Sequence, residues 1–187
     1  MATLKRLQRA VIKNPKSAEC NYRYGVACLR QGNPQAGLQA LQTALTLESS
    51  DPEVYIAIGK AFVAINQLAL AERAYRLSIQ RLPNHPEPRF LLGRLLLMRN
   101  QPIPAASQLR LALDNGGNFD VRNLLIVALE RAGDTHGVLH EVEALLELEP
   151  HNLEAMRLQA RTLQACGRHR AAVATLKSLV QLTGGDV

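Results

Sequence analysis

Apolar and polar positions recur along this chain with a period of 34 residues. The clearest echo is a short polar residue, any residue and then an acid, and successive copies begin 34, 34, 33 and 34 residues apart. The copies are Ser17-Ala18-Glu19, Asp51-Pro52-Glu53, His85-Pro86-Glu87, Asn118-Phe119-Asp120 and Asn152-Leu153-Glu154. One unit is therefore repeated five times, and such units stack on their neighbours to bury a continuous core.

Each unit carries the signals for two helices and a turn. When the first residue of the triplet is counted as place zero, large apolar residues recur at places eleven and twenty-four, and small ones predominate at places eight, twenty and twenty-seven. The small residues predict that the two helices approach each other closely. Place fifteen always holds Gly or Asn, which adopt the left-handed backbone conformation at the end of a helix at little cost. These residues are Gly32, Asn66, Asn100, Gly133 and Gly167.

The triplets are typical of helix starts. Four of their five first residues are good N-caps, because a short side-chain oxygen accepts a backbone N–H of the first turn, and His85 is the exception. Pro52 and Pro86 then fall at the first helical position, and the acid that follows faces the positive end of the helix dipole. The prolines that close preceding helices are Pro15, Pro83 and Pro150.

Together, the period, the helix-turn-helix unit, the small and large apolar places and the closing prolines resemble tetratricopeptide repeats. The resemblance extends over nearly the whole chain and implies an all-α fold, a right-handed α-solenoid of helix-turn-helix repeats. It implies a single domain of residues 1–187 with an N-terminal half-repeat helix, residues 1–17. The repeats would be residues 18–51, 52–85, 86–118, 119–152 and 153–187.

The N-terminal helix allows two interpretations. Apolar residues from Leu4 to Ile12 lie on one side of it, with Lys5, Arg6, Arg9 and Lys13 around them. Because Pro15 stands where a closing proline belongs, the register favours the second helix of an incomplete repeat. The alternative is a basic amphipathic helix that binds an anionic membrane surface, which would make the protein a self-assembling scaffold there.

The last predicted helix, residues 170–182, is the last helix of the fifth repeat and still offers apolar residues. They are Val173, Leu176, Leu179 and Val180, and no polar capping helix follows them. A repeat array with unshielded apolar ends self-associates, continues into more chain or docks on a partner. The sequence therefore leaves open that the chain is part of a longer array.

Composition argues against a membrane-spanning or secreted protein. The 187 residues are 47% hydrophobic and 4% aromatic, and neither a run of about 18 apolar residues nor an N-terminal apolar stretch is present. These features predict a cytoplasmic protein without a transmembrane segment. Cys20 and Cys28 lie on one predicted helix, about 12 Å apart and too far to bridge, so they and Cys166 are predicted to be reduced thiols.

Charge is unevenly distributed. Residues 1–34 carry seven Lys or Arg against one Glu, a net +6, whereas residues 118–152 carry two against seven acids, a net −5. This contrast suggests a homo-oligomer in which the basic N-terminal helix of one protomer meets the acidic fourth repeat of another. The acids of its second helix are Glu141, Glu143, Glu147 and Glu149. The alternative is that solvated helix faces simply differ in charge.

The family resemblance implies a concave groove lined by the first helix of each repeat, with places five, nine and twelve facing it. The groove is predicted to be apolar in its N-terminal half and positively charged in part, which suits a protein or peptide with apolar and acidic residues. The predicted groove residues are Tyr22, Ile56, Lys60, Phe90, Arg94, Leu97, Asn123, Arg157 and Arg161.

Motifs of enzymes are absent from the sequence. His136 and His140 lie one helical turn apart and precede Glu141, but no third metal ligand is evident. The chain has no glycine-rich phosphate loop and no nucleophile elbow. The sequence therefore predicts no catalytic residue, no metal and no cofactor.

Nucleic-acid binding is an alternative that the charge suggests, because the sequence pI is about 9.6. Repeat proteins that read RNA use polar residues at fixed places, whereas this predicted groove is apolar around Ile56. Nucleic acid is therefore the less favoured partner. The favoured function is a non-catalytic adaptor or scaffold, chaperone-like in aiding the assembly of a multiprotein complex.

The single 33-residue step passes through residues 114–118. The closing proline is missing there, and the charge changes from basic to acidic. We expect a flexible joint at this step, dividing three repeats with an apolar groove from two with a polar one.

Overall fold

The computed structural model describes residues 2–47 and 51–184, and these contain eleven α-helices and no β-strand. An all-α fold of helical repeats is thereby confirmed. The helices are α1 (Ala2–Lys13), α2 (Ala18–Arg30), α3 (Pro34–Thr46), α4 (Glu53–Ala64), α5 (Leu68–Arg81), α6 (Pro86–Met98), α7 (Pro102–Asp114), α8 (Phe119–Ala132), α9 (Thr135–Leu148), α10 (Leu153–Ala165) and α11 (His169–Thr183). Among these described residues, no helix combines the length and the apolarity that crossing a bilayer requires.

The chain divides into two compact units, Met1–Leu95 and Leu96–Val187, with the boundary inside α6. In the first unit α2 packs on α3, α3 on α4 and α4 on α5. In the second, α8 packs on α7 and α9, and α10 packs on α9 and α11. Residues 114–118 lie inside the second unit, between two helices in contact, and their flexibility stays a prediction.

Side chains of the repeated triplets cap the helices as predicted. The Asn118 side chain accepts the N–H of Asp120 at 3.1 Å, and that of Asn152 accepts the N–H of Ala155 at 3.0 Å. Ser17 caps α2 in the same way. A short polar side chain thus satisfies a donor that the first helical turn leaves unpaired.

The histidine in the third triplet takes the same role. His85 Nδ1 accepts the N–H of Glu87 at 3.3 Å. In the second triplet α4 begins at Glu53, one residue later than predicted, but the Asp51 carboxylate still accepts the Glu53 N–H at 2.9 Å. The geometry of the helix start is therefore kept although the residue type and the boundary vary.

The turn inside each repeat has the predicted left-handed residue. The φ angles at place fifteen are 73° at Gly32, 59° at Asn66, 55° at Asn100, 75° at Gly133 and 72° at Gly167. Glycine and asparagine are the residues that reach this region at least cost. The recurring residue therefore ends the first helix and turns the chain into the second.

Small residues set the distance between α2 and α3. A Cβ added to Gly25 would lie 2.7 Å from Leu41 Cγ and 3.0 Å from the carbonyl oxygen of Gly37. Leu41 is fully buried and belongs to the core cluster of the first unit, with Val54 and Ile58. The prediction of a close helix approach at places eight and twenty is confirmed here.

In the second repeat, Gly59 makes room for an aromatic ring. A Cβ added at Gly59 would lie 2.6 Å from Cδ1 of Tyr75, and the Tyr75 side chain is only 1% exposed. The Tyr75 hydroxyl has no hydrogen-bond partner among the described residues. Burial raises the pKa of Tyr75 to about 12, so the phenol stays protonated at neutral pH.

α1 packs on α2 through its apolar side. Leu4, Leu7 and Val11 are half-buried, whereas Ile12 is 73% exposed. The contact favours the interpretation of α1 as the second helix of an incomplete repeat. Its four lysine and arginine side chains remain exposed.

The second unit holds a buried ion pair between α8 and α9. Arg122 Nη1 lies 2.6 Å from Glu141 Oε2, and their side chains are 18% and 5% exposed. His140 Nδ1 lies 3.3 Å from the other carboxylate oxygen. Glu141 therefore pairs inside the fold. Of the four acids that were predicted to contact the basic N-terminal helix of another protomer, three remain for that contact.

Neither the histidines nor the cysteines form a metal cluster in the part of the chain that the structure describes, where no three His, Cys, Asp or Glu side chains converge. Cys20, Cys28 and Cys166 are free thiols, and Cys28 is buried.

We expect Gly59→Ala to lower the free energy of unfolding by about 1–3 kcal/mol, because the added Cβ overlaps the ring of Tyr75, which is only 1% exposed. Urea denaturation followed by circular dichroism measures this loss. In a Tyr75→Leu background the same change should cost much less, since the overlapping ring atoms are gone. An equal cost in both backgrounds would contradict the contact.

Removing one partner of the buried ion pair should lower the free energy of unfolding more than removing both. Arg122→Leu leaves the buried Glu141 carboxylate with only the exposed His140 side chain, at 3.3 Å, as a described partner, so we expect a loss of about 3–5 kcal/mol in chemical denaturation. The double variant with Arg122→Leu and Glu141→Leu should recover most of that loss. A double variant no more stable than Arg122→Leu would mean that the pair itself is not the source of the effect.

Candidate functional site

A cleft opens in the first unit between the first helices of repeats one and two. Its volume is about 430 Å³, and we call it the N-terminal cleft. It is lined by Tyr22, Val26, Leu29, Arg30, Glu53, Ile56, Ala57, Lys60 and Glu87. Tyr22, Val26 and Leu29 stand at places five, nine and twelve of α2, which helical spacing puts on one face.

The apolar wall of this cleft belongs to the core. Val26 and Leu29 are half-buried and pack against the cluster that contains Leu41 and Val54. Ile56 lies on α4 and is 4% exposed. These side chains are therefore anchored in the core.

Charged side chains form the rim. Lys60 Nζ lies 2.7 Å from Glu87 Oε1, and the two side chains are 45% and 44% exposed. An ion pair this exposed contributes at most about 1 kcal/mol, so either partner can exchange it for another charge. Arg30 also lines the cleft and is exposed, and it has no ion-pair partner among the described residues.

Tyr22 marks the acidic side of the rim. Its hydroxyl donates to Glu53 Oε2 at 3.2 Å. Burial first, and then the charge of Glu53 and the hydrogen bond to it, raise the pKa of Tyr22 to about 12. The phenol therefore stays a neutral donor over the physiological pH range.

A second, larger cleft lies in the second unit between α8 and α10. Its volume is about 690 Å³, and we call it the C-terminal cleft. Its lining residues are Phe119, Asn123, Ile126, Val127, Glu130, Leu145, Asn152, Glu154, Ala155, Arg157, Leu158 and Arg161. Three predicted groove residues, Asn123, Arg157 and Arg161, are brought together here.

This second cleft is less polar than the sequence indicated. Phe119 and Val127 line it and are 42% and 37% exposed, so they offer apolar surface to a ligand. Phe119 stands at place one of its triplet, which the sequence pattern marks only as a helix start. The first residue of the helix reaches the cleft because α8 begins at its edge.

Its cations are paired with neighbouring acids. Arg161 on α10 lies 2.6 Å from Glu130 on α8, and Arg157 lies 2.7 Å from Glu154 on its own helix. The first of these bridges joins the two helices that form the cleft. The predicted positive charge is thus balanced in the structure.

The remaining predicted groove residues lie outside both clefts. The Arg94 guanidinium stacks over the Phe90 ring, 6.0 Å from its centroid, and both residues lie on α6. Leu97 is 6% exposed, and its carbonyl oxygen accepts a hydrogen bond from Arg131 Nη1 at 3.4 Å. Leu97 therefore presents little side-chain surface to a ligand.

Sequence reasoning missed the acids that line the clefts. Glu53 and Glu87 stand at place two, where each also faces the N-terminus of its helix. They contact Tyr22 and Lys60, which precede them by 31 and 27 residues. The signal was present, because the acid recurs in every triplet, but helix capping explained it without a contact.

Comparison with known families identifies part of the sequence directly. Residues 4–52 match the family profile described as tetratricopeptide repeat. This segment covers α1 except its first two residues, the first predicted repeat and the residue that follows it. No curated protein matches the chain in sequence.

Solved structures extend the likeness to the whole fold. YrrB, described as a tetratricopeptide repeat protein with an unusual peptide-binding site, superposes with a TM-score of 0.76 at 18% identity, over 96% of this chain and 93% of that one. MamA 41-end from Desulfovibrio magneticus RS-1 gives 0.71 at 19% identity, over 90% and 96% of the two chains.

A tetratricopeptide repeat protein from Parabacteroides merdae is similar as well. Its TM-score is 0.69 at 16% identity, over 95% of this chain and 71% of that one. At such identities the likeness concerns the fold. Residues 4–52 thus match the tetratricopeptide repeat family profile, and the chain as a whole has the fold of tetratricopeptide repeat proteins.

Proposed function

We propose that this protein is a non-catalytic adaptor that binds a peptide or a protein segment of its partner in the N-terminal cleft. The observation that carries the proposal is the cleft's combination of an anchored apolar wall, at Val26, Leu29 and Ile56, with the exposed cations Arg30 and Lys60. Sites of this kind bind extended or helical segments through apolar anchors and fix them with a few polar contacts.

The rim favours a ligand that contains a carboxylate beside its apolar residues. A carboxylate can bind Arg30 directly and can replace Glu87 at Lys60, because the exposed pair that it displaces is weak. The Tyr22 hydroxyl stays protonated and can donate to a ligand carbonyl in place of Glu53. In each exchange a ligand group replaces a solvent-exposed contact within the protein. Specificity therefore depends on where these groups lie rather than on net charge.

The likeness to YrrB supports the class of ligand. That protein is described as having an unusual peptide-binding site, and its fold matches this one over 96% of the chain. The C-terminal cleft offers the same elements on its own, with the apolar surface of Phe119 and Val127 beside the pairs of Arg157 and Arg161. We therefore propose it as a separate site for a protein segment.

Nucleic acid suits these clefts less well. The carboxylates of Glu53 and Glu87 lie on the rim of the first, and those of Glu130 and Glu154 line the second. A nucleic-acid strand would bring a phosphate against these acids at every nucleotide, whereas a peptide needs to bring only one carboxylate to Arg30 or Lys60. A scaffold that assembles protein complexes is the function that agrees with both clefts.

We expect short random peptides displayed in a library and selected on this protein to be enriched in aliphatic or aromatic residues together with Asp or Glu. For a selected peptide carrying a fluorophore, Lys60→Glu should weaken binding about tenfold or more in fluorescence polarisation, because it sets a repelling charge where the ligand carboxylate binds. Circular dichroism should give unchanged helicity, since the Lys60 side chain is nearly half exposed.

Arg73→Glu is the matched control, because it makes the same charge change at an exposed position of α5 that does not line the cleft. It should change affinity by less than about twofold. If Lys60→Glu binds as well as the wild type, or if Arg73→Glu is equally damaging, the peptide does not bind in the N-terminal cleft.

A further inference from the structure

The two clefts are lined by the same places of different repeats. The N-terminal cleft lies between the first helices of repeats one and two, and the C-terminal cleft between those of repeats four and five. Place nine of the first repeat in each pair holds valine, at Val26 and Val127. Place nine of the second repeat holds a cation, at Lys60 and Arg161. The linings can therefore be compared residue by residue.

At two of these places the clefts differ in chemical character. Place twelve of the first repeat holds Leu29 in the N-terminal cleft and Glu130 in the C-terminal cleft. Place five of the second repeat holds Ile56 in the one and Arg157 in the other. The Glu130 and Arg157 side chains are 37% and 48% exposed, so both are accessible to a ligand. Two apolar positions of the first cleft are thus a carboxylate and a guanidinium in the second.

Both charges of the C-terminal cleft keep hydrogen-bonding capacity for a ligand. Glu130 accepts from Arg161 through Oε1 at 2.6 Å, and Arg157 donates to Glu154 through Nη1 at 2.7 Å. Each of these contacts uses one atom of a group that has further acceptor or donor positions. A ligand cation can therefore bind Glu130, and a ligand carboxylate can bind Arg157, while the two pairs within the protein persist.

The same two charges exclude a ligand that suits the N-terminal cleft. Such a ligand places apolar side chains against Leu29 and Ile56. At the equivalent places of the C-terminal cleft these side chains would cover Glu130 and Arg157 and remove water from both charges without replacing it. Mismatches of this kind separate one ligand from another as effectively as favourable contacts do.

We propose that the C-terminal cleft binds a protein segment that carries a basic and an acidic side chain beside an apolar one, and that Glu130 and Arg157 determine this preference. The basic side chain pairs with Glu130 and the acidic one with Arg157. The apolar side chain contacts Phe119 and Val127, which offer exposed surface in the same cleft. The assignment rests on the proposed function, since it names the ligand class of a cleft proposed there as a binding site.

The test begins with peptides selected from a random library on the wild-type protein. Charge reversal at place nine assigns each peptide to a cleft, because Lys60→Glu alters the N-terminal cleft and Arg161→Glu the C-terminal one. Peptides that lose binding to Arg161→Glu should be enriched in Lys or Arg together with Asp or Glu. Those that lose binding to Lys60→Glu should show no enrichment in Lys or Arg.

A double-mutant cycle then tests the contact with Glu130. In a fluorophore-labelled peptide of the Arg161 group, replacing the basic residue by Gln should weaken binding to the wild type about tenfold in fluorescence polarisation. On Glu130→Gln the same replacement should cost less than about twofold, because the carboxylate that it pairs with is gone. Arg157→Gln and the acidic residue of the peptide form a second cycle with the same expectation.

Glu147→Gln is the matched control, because it removes an exposed acid of α9 that does not line the cleft. On this variant the replacement in the peptide should still cost about tenfold. Since the Glu130 and Arg157 side chains are both well exposed, circular dichroism melting of all three variants should remain near the wild type.

Three results would overturn this assignment. They are the absence of any peptide that depends on Arg161, an Arg161 group without enrichment in Lys or Arg, and a loss of about tenfold that persists on Glu130→Gln. Failure of the proposed N-terminal site gives a different result. In that case Lys60→Glu leaves every selected peptide unaffected, while the coupling between Glu130 and the basic residue is still measured.

Discussion

The close crossing of paired helices is the constraint on which the rest of this structure depends. At Gly25 and Gly37 neither helix has space for a Cβ, and at Gly59 the space is taken by the ring of Tyr75. This contact fixes how far apart the two helices of a repeat lie and therefore how each first helix is rotated. The rotation decides which places reach the core and which line a cleft. A larger residue at the crossing would thus move cleft side chains that it never touches.

Acids in the first helical turn do two things at once. Glu53 and Glu87 face the positive ends of their helix dipoles, and the same carboxylates contact Tyr22 and Lys60 across the cleft. A helix start therefore also supplies part of the rim of a cleft. The clefts consequently contain positive and negative side chains in close, exposed ion pairs. The surface of each cleft is therefore polar, with its positive and negative charges close together.

The course of the backbone could be predicted from the sequence, whereas the partners of the side chains could not. Helix starts, turns and the close approach of helices repeat every 34 residues, because each depends on a local conformation that few residue types adopt. The pairing of Lys60 with Glu87 joins residues 27 apart, and no local rule specifies it. The burial of Leu97 and the stacking of Arg94 on Phe90 depend likewise on the actual packing of α6. Phe119 was missed because a capping triplet explained its position.

The Tyr75 hydroxyl has no described role in holding the fold together. It is buried, and no described residue pairs with it. A phenylalanine would fill the same space beside Gly59 without breaking a hydrogen bond to a described residue. The packing at this position therefore depends on the aromatic ring alone, and Tyr75 lines neither cleft.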